Sequence, residues 1–448
     1  MKKLFWIFIA SPVLFSARIW AQETVKDTVF LIPFADTVLL DEVVVKAHKT
    51  IPMNNRWSDL QPVDLVTVAG ANGNLYKALE TLPGTQIQGE SGRLLVRGGS
   101  SDETQTYIDG MHVLNPYTST AENTPARGRY SPFMFSGINL STGGHSQEYG
   151  EALSAVLPLE TKDNSRINKV GISPSTVGIG GGGNHAFRNA SLALNLDYQN
   201  LALYNKVYPG RIDFKKPYQM FSGATQFRYT PSGSSVFKIY VGYDRTDYSN
   251  YTDNNRYLFC LGENNVYLNS TFRTAISGGW EWFSGMAYSL FDRKVDGAVT
   301  EGDHWCEKQA ELHFKTKLSK KFHPTFRMDV GFESFLRWYE TRYSQVSVAD
   351  TKEISPTIEA VFGTVSYYPV ENLKAELSFR TEYASLARKI NFSPRLSFSY
   401  SWCDLVLSAT AGRYTQLPNA KYLAQQPSLL SSSDLVRSMP AVQCRRFI

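Results

Sequence analysis

Long runs of strict two-residue alternation constrain this chain more than any other feature. Ala310, Leu312, Phe314, Thr316 and Leu318 fall on one side of an extended strand, with Glu311, His313, Lys315 and Lys317 on the other, because successive side chains of a strand point to opposite faces. The period returns in Phe326, Met328, Val330 and Phe332 against Arg327, Asp329 and Glu333, and in Leu373, Ala375, Leu377 and Phe379 against Lys374, Glu376, Ser378 and Arg380. Phe392, Leu396, Phe398, Tyr400 and Trp402 continue it, as do Phe237, Ile239, Val241 and Tyr243. Many segments run about ten residues or more, the span of a tilted strand across a bilayer, whereas soluble strands centre on about five or six. Alternation alone also suits a soluble sandwich with one wet face. The discriminating feature is the outward face at mid-strand: polar for an exported β-rich binding or structural protein, apolar for a barrel.

The connections favour the barrel. Short ones at 231–234, 319–324, 369–372 and around Asp404 lie between long ones at 248–263, 295–304 and 343–353. Short periplasmic turns and long outer loops are how membrane barrels are built. About twelve strands are expected between Lys169 and Thr415, with the weakest pattern over 163–221. That count makes the first strand descend, whereas a chain leaving the periplasmic side must first rise, so a strand before Phe221 is lost or invented.

The first residues send the chain across the inner membrane. Met1, Lys2 and Lys3, the mostly apolar stretch from Leu4 to Phe15, and Ala21 ahead of the polar run from Gln22 read as a cleaved secretory signal. The apolar stretch falls short of the roughly 18 residues of a spanning helix, and no later window is continuously apolar for that length. Aromatic residues make up 13% of the chain, with 25 Tyr and 26 Phe, which suits aromatic girdles at two membrane interfaces.

The remaining chemistry is sparse. A net charge of +5 over 448 residues is too small and dispersed to imply a nucleic-acid partner. Cys260, Cys306, Cys403 and Cys444 include no close-spaced pair, so no zinc or redox motif is present. Cys260 and Cys306 are candidates to pair if their Cα atoms come close enough. GIGGGG at 178–183 has the spacing of a dinucleotide loop, but alternating residues follow it where a helix is needed, so it reads as a strand or turn. His145, His185, His304, His313 and His323 lie in separate elements and read as surface or lumen residues. No Ser, His and Asp arrangement stands out, and no enzyme, cofactor or metal site is expected.

Ahead of the strands, residues 40–163 differ in composition. Asn74 to Leu82 is a helix candidate, with Asn74 as N-cap, Leu75, Ala78, Leu79 and Leu82 on one face, and Pro83 and Gly84 as its stop. Leu94 to Val96 ahead of Arg97, Gly98 and Gly99, and Thr106 to Ile108 ahead of Asp109 and Gly110, each read as a short strand ending at a turn. A small α/β domain follows. Its text, LYKALETLPGTQIQ at 75–88, LLVRGGSSDETQTYIDGMHVLNP at 94–116 and INLSTGGHSQEYGEALSAVLPLETKD at 138–163, resembles the plug domain of TonB-dependent receptors. The resemblance lies in a helix with a Pro-Gly stop, the Arg-Gly-Gly and Asp-Gly turns, and a closing glycine-rich motif, in that order.

The resemblance implies a mainly β protein: a small α/β plug followed by an antiparallel transmembrane β-barrel in the outer membrane of a Gram-negative bacterium, among outer-membrane lipids. Its expected layout is a signal peptide at 1–21, a coupling segment at 22–47, a plug at 48–163, barrel strands at 164–415 and an irregular tail at 416–448. LDEVVVKA at 40–47 resembles the box offered to a TonB-type periplasmic energy transducer, with Asp41, Glu42, Val43, Val44 and Val45 adding as a strand to the partner's sheet. The same run also reads as the plug's first strand. Arg97, Gly98, Gly99, Asp109, Gly110, Gly143 and Gly144 are implied to be structural or hinge elements of the plug, and Arg97 and Glu148 to form weak plug-to-wall ion pairs in a wet lumen.

The implied function is a receptor and transporter that binds a scarce extracellular ligand and imports it with energy delivered by TonB. Small-molecule, metal-chelate and glycan ligands stay open. Tyr248, Tyr251, Tyr257, Trp305, Trp338, Tyr339 and Tyr343 are candidates for an aromatic outer mouth or for girdle residues. Barrels of the family have about twenty-two strands, more than this text supplies, and alternation stops near Thr415. The barrel is therefore expected to be incomplete, through truncation or frame-shift after about Gln426, strands from another chain, or a smaller barrel. The alternative function is a non-transporting remnant or the exported β-rich protein.

Overall fold

The computed structural model describes residues 57–447 apart from 61, 72, 89–90, 120–125, 163–167, 210–212, 253–256, 298–301, 346–347, 403–404, 420 and 423–436. The expected signal peptide, the coupling segment with Asp41 to Val45, and Cys403 lie outside the described residues.

The plug begins with β1 (Trp57–Leu60), α1 (Pro62–Thr67) and α2 (Leu75–Leu79), followed by β2 (Thr85–Gln88), β3 (Arg93–Val96), β4 (Thr104–Ile108), β5 (Met111–Val113), β6 (Phe135–Ser141) and β7 (Ala155–Thr161). Five strands form one sheet in the order β1-β6-β7-β4-β5, and β2 pairs with β3. Asn74 caps α2 as expected, its side-chain oxygen accepting from the Tyr76 amide at 3.2 Å and the Gly128 amide at 3.1 Å. The helix is shorter than its periodic text because the Thr85 hydroxyl donates to the carbonyls of Leu79 (2.8 Å) and Leu82 (2.7 Å), closing its end locally. Leu75, Leu79, Leu94, Ile108, Ile138 and Leu157 meet in an apolar core.

The wall opens with β8 (Lys169–Ser175), β9 (Gly178–Ala186) and β10 (Ala190–Asn200), then α3 (Ala202–Val207). It continues through β11 (Phe214–Ser232), β12 (Ser235–Thr252), β13 (Tyr257–Ile276), β14 (Trp280–Asp296), β15 (His304–His323) and β16 (Phe326–Gln345). β17 (Val348–Ile354), β18 (Thr357–Val370), β19 (Leu373–Ala384), β20 (Lys389–Trp402), β21 (Leu405–Gln416) and β22 (Arg437–Phe447) complete it. The strands pair in chain order, antiparallel throughout, with β17 a side branch on β16. Among the described residues β8 and β22 end the sheet and do not pair with each other. No described helix is long and apolar enough to cross a membrane.

Two expectations are corrected. The stretch 169–200 holds three strands, β8, β9 and β10, so, with the side branch β17 left out, the wall up to residue 416 has thirteen strands, one more than the expected count. That strand makes β8 run from the short-turn end toward the long-loop end and removes the conflict of direction. The glycines of β9 hid it, having no side chains to mark a face: Gly180 and Gly182 oppose Asp197 and Asn195 of β10. Residues 437–447, expected to be irregular, form β22 on β21. Pro440 has no amide to donate, which a strand at the end of a sheet tolerates.

Burial along the wall is inverted relative to a soluble protein. On β15, Glu311 and His313 are 1% exposed and Lys315 is fully buried, while Phe314 is 40% and Leu318 43% exposed. Phe332, Leu377, Phe379 and Phe398 are likewise exposed. Apolar outward faces and polar inward ones are the pattern of strands between lipid and a polar interior, and the soluble sandwich required the reverse. Cys260 and Cys306 are free. They sit on β13 and β15 with β14 between them, two strand spacings or roughly 10 Å apart and beyond disulfide reach.

Candidate functional site

The plug is held against the inward face of the wall by side chains. At the short-turn end, Asp109 takes a left-handed backbone (φ 50°) at the turn between β4 and β5. Its carboxylate accepts from the Thr161 amide at 2.9 Å and the Thr161 hydroxyl at 2.5 Å, and pairs with Lys238 of β12 at 3.3 Å. Along β13, Asn269 Nδ2 donates to the Ile108 carbonyl (3.0 Å), the Tyr267 hydroxyl to the Met111 carbonyl (3.2 Å), and Ser119 to the Glu263 carboxylate. Arg129 pairs with Asp244 of β12 at 2.6 Å.

A denser cluster lies against β15, β16 and β19. His112 Nδ1 meets Glu311 at 2.5 Å, and Arg337 bridges Glu311 (2.6 Å) and Glu151 (3.0 Å). His313 meets Glu333 at 2.9 Å, which also takes Arg380 at 2.7 Å, while Arg380 binds Glu382. Lys315 and Lys317 hold Glu148 at 3.2 and 2.7 Å. Further round, Arg395 donates to the His145 carbonyl (2.7 Å) and Gln147 to the Ser393 carbonyl (2.6 Å). Burial pushes the Glu148 carboxyl upward, but Lys315 and Lys317 outweigh it and hold the group well below the usual carboxylate range. For Glu151 burial wins over Arg337, and its pKa is raised.

The residues singled out in the sequence divide. Asp109 and Gly110 reach the wall, the Gly110 carbonyl accepting from Lys315 at 3.3 Å. Gly99 packs where a Cβ would sit 1.7 Å from the Ser154 hydroxyl, so only glycine fits. Gly143 and Gly144 take positive φ in the loop after β6. Arg97 does not reach the wall: it stands exposed at the turn after β3 with φ 53°, its amide donating to the Gly84 carbonyl, and it has no ion pair among the described residues. Glu148 does pair with the wall, and these pairs are largely buried, so the expectation of weak wet pairs is corrected. Removing one partner of a buried pair costs about 3–5 kcal/mol.

His112, Glu151, Arg129 and Arg337 were not found from sequence, since their partners lie far along the chain. The signal available was the regular spacing of charges on the non-apolar face of β15.

At the long-loop end a cavity of about 300 Å³ opens between plug and wall. Trp305, Tyr339, Arg93 and Pro116 line it, and its floor includes His112, Glu151 and Arg337. The aromatic candidates separate by parity. Tyr339 is buried and faces the cavity, its neighbour Trp338 is exposed on the apolar face, and Tyr248 packs inside against Tyr218 and Leu261. No group of three His, Cys, Asp or Glu among the described residues is placed to hold a metal.

An α/β plug seated against an inverted antiparallel wall is the arrangement of plugged transmembrane β-barrels. Residues 65–156 match the family model of the TonB-dependent receptor plug domain. Among solved structures the chain is similar to a mutant of the ferric enterobactin receptor PfeA from Pseudomonas aeruginosa, with TM-score 0.62 and 13% identity over 82% of this chain and 63% of that one. It is similar to the copper transporter OprC, with TM-score 0.67 and 12% identity over 87% and 69%. It also resembles the outer membrane transporter YddB from Escherichia coli, with TM-score 0.64 and 13% identity over 81% and 61%. No curated protein matches. The chain thus spans about 63% of the length of the first of these structures. Residues 65–156 thus match the plug domain of TonB-dependent receptors, and the chain as a whole shares the plug-and-wall fold of these outer-membrane structures.

Proposed function

We propose that the chain binds a scarce extracellular ligand in the cavity at the long-loop end and imports it into the periplasm with energy delivered by a TonB-type transducer. One observation carries this reading: His112, Glu151 and Arg337 both line the cavity and clasp the plug. A ligand that engages them competes with the clasp, so occupancy and plug anchorage are linked through shared side chains. The clasp is buried, which suits removal by mechanical work better than by thermal fluctuation. In this reading the transducer pairs with Asp41, Glu42, Val43, Val44 and Val45. The turns at Arg97 to Gly99, Asp109 and Gly110, and Gly143 and Gly144 are the plug's structural and hinge points.

Similar structures are named for ferric enterobactin and copper, so radiolabelled forms of both are the first probes. Cells expressing the chain are expected to accumulate one of them above a vector control, and to stop when a protonophore removes the energy source. Accumulation that ignores the protonophore would contradict energised import. Arg337→Ala is expected to lower accumulation at least about tenfold, since it removes a cavity wall and a plug anchor together.

A further inference from the structure

Strand β5 of the plug is tied to the wall by a bond that only an uncharged imidazole makes. The His112 backbone amide donates to Nδ1 of His313 at 3.0 Å, and both residues are buried. A backbone amide can only donate, so Nδ1 carries no proton. Nε2 of the same ring lies 2.9 Å from Glu333 Oε1. A carboxylate accepts, so Nε2 holds the ring's single proton. Phe335 stacks on the ring at 4.3 Å and 3°, which fixes both nitrogens in place.

The charged groups around this ring are already matched. On its own strand stand Glu311 and Lys315, on β16 Glu333 and Arg337, and on β19 Arg380, while the plug presents the His112 ring, Glu148 and Glu151. Glu311 is taken by His112 and Arg337, Glu333 by Arg380, Glu148 by Lys315, and Glu151 by Arg337. A proton arriving at Nδ1 therefore meets the His112 amide, itself a donor, and Nδ1 has no other hydrogen-bond partner among the described residues.

We propose that His313 is a proton-operated catch on the plug. Protonation turns Nδ1 from acceptor to donor, breaks the bond to β5 and leaves the buried His112 amide unpaired. It also sets a second positive charge beside Lys315. β5 loosens at the floor of the cavity, while the Glu148 clasp on Lys315 and Lys317 holds. This goes beyond the import reading and does not depend on it.

Hydrogen exchange at the His112 amide reads the catch, measured on the full chain in outer-membrane vesicles at pH 7.5 and 4.5 and corrected for the intrinsic pH dependence of exchange. Protection is expected to fall about five- to tenfold at the lower pH, the weight of one hydrogen bond, while amides of β3 keep theirs. His313→Asn supplies an amide oxygen near the Nδ1 position and cannot titrate, so its His112 protection is expected to be equal at both pH values. No loss in the wild type, or the same loss in the variant, overturns the proposal. If the variant does not assemble, ¹⁵N shifts of the His313 ring in the wild type decide. A neutral ring protonated at Nε2 at pH 7.5 that becomes imidazolium by pH 4.5 is expected. Imidazolium at pH 7.5, or a neutral ring at pH 4.5, overturns it.

Discussion

The plug and the wall bury opposite kinds of side chain. The plug encloses Leu75, Leu79, Leu94 and Ile138 as a soluble domain does, whereas the wall buries Glu311, Lys315, Glu333 and Arg380 and exposes Phe314, Phe332 and Leu377. One chain thus obeys two solvents. The plug's core is set by exclusion from water, and the wall's two faces by lipid on one side and the plug's polar surface on the other.

The sharpest way to break the comparison is to place a charge in each region. Leu94→Asp is expected to cost more than about 4 kcal/mol in the plug, because an isolated carboxylate has no partner among those side chains. Proteolysis in vesicles should then cleave the plug while the wall fragment persists. Phe314→Arg on the outward face is expected to cost about 2–4 kcal/mol near mid-membrane and to lower the folded yield in the outer membrane. The same Arg at a polar plug surface would be nearly silent. The smallest effect is Asn74→Ala, at about 1 kcal/mol, the loss of an N-cap that also receives the Gly128 amide. Chemical denaturation of the plug should show it as a lower midpoint.

The pH response sharpens the comparison within the seam. Glu148 has a depressed folded pKa, so its stabilisation is complete above the ordinary carboxylate value of about 4.3 and is lost only as pH falls through the folded value. Exchange protection of the Glu148 loop should therefore stay constant from pH 7.5 to about pH 5. A steady decline across that range would mean that the lysine pairs do not hold it.

Much of this was legible in the sequence, for reasons that differ by region. Long strands announce themselves because every second residue faces lipid, so β15, β16 and β19 were readable from Phe314, Phe332 and Leu377. The plug's turns were readable because Asp109, Gly98 and Gly110 take backbone angles that few residues adopt. One strand of 169–200 was lost where the glycines of β9 leave no face to count, and β22 because its text has no clean alternation. The clasp stayed hidden since His112 meets Glu311 across 199 residues of chain. Periodicity shows which face a charge occupies and says nothing of its partner. Parity was the unused clue: it assigns Tyr339 to the cavity and Trp338 to the lipid side.

The central claim is the direction of that parity, and a single-cysteine scan of residues 310 to 318 tests it directly. With the four native cysteines replaced by serine, each position would carry a fluorophore in vesicles containing a lipid-borne nitroxide quencher. Quenching at the even positions with protection at 311, 313, 315 and 317 is the predicted result. Quenching at the odd positions, or no alternation at all, would contradict the account.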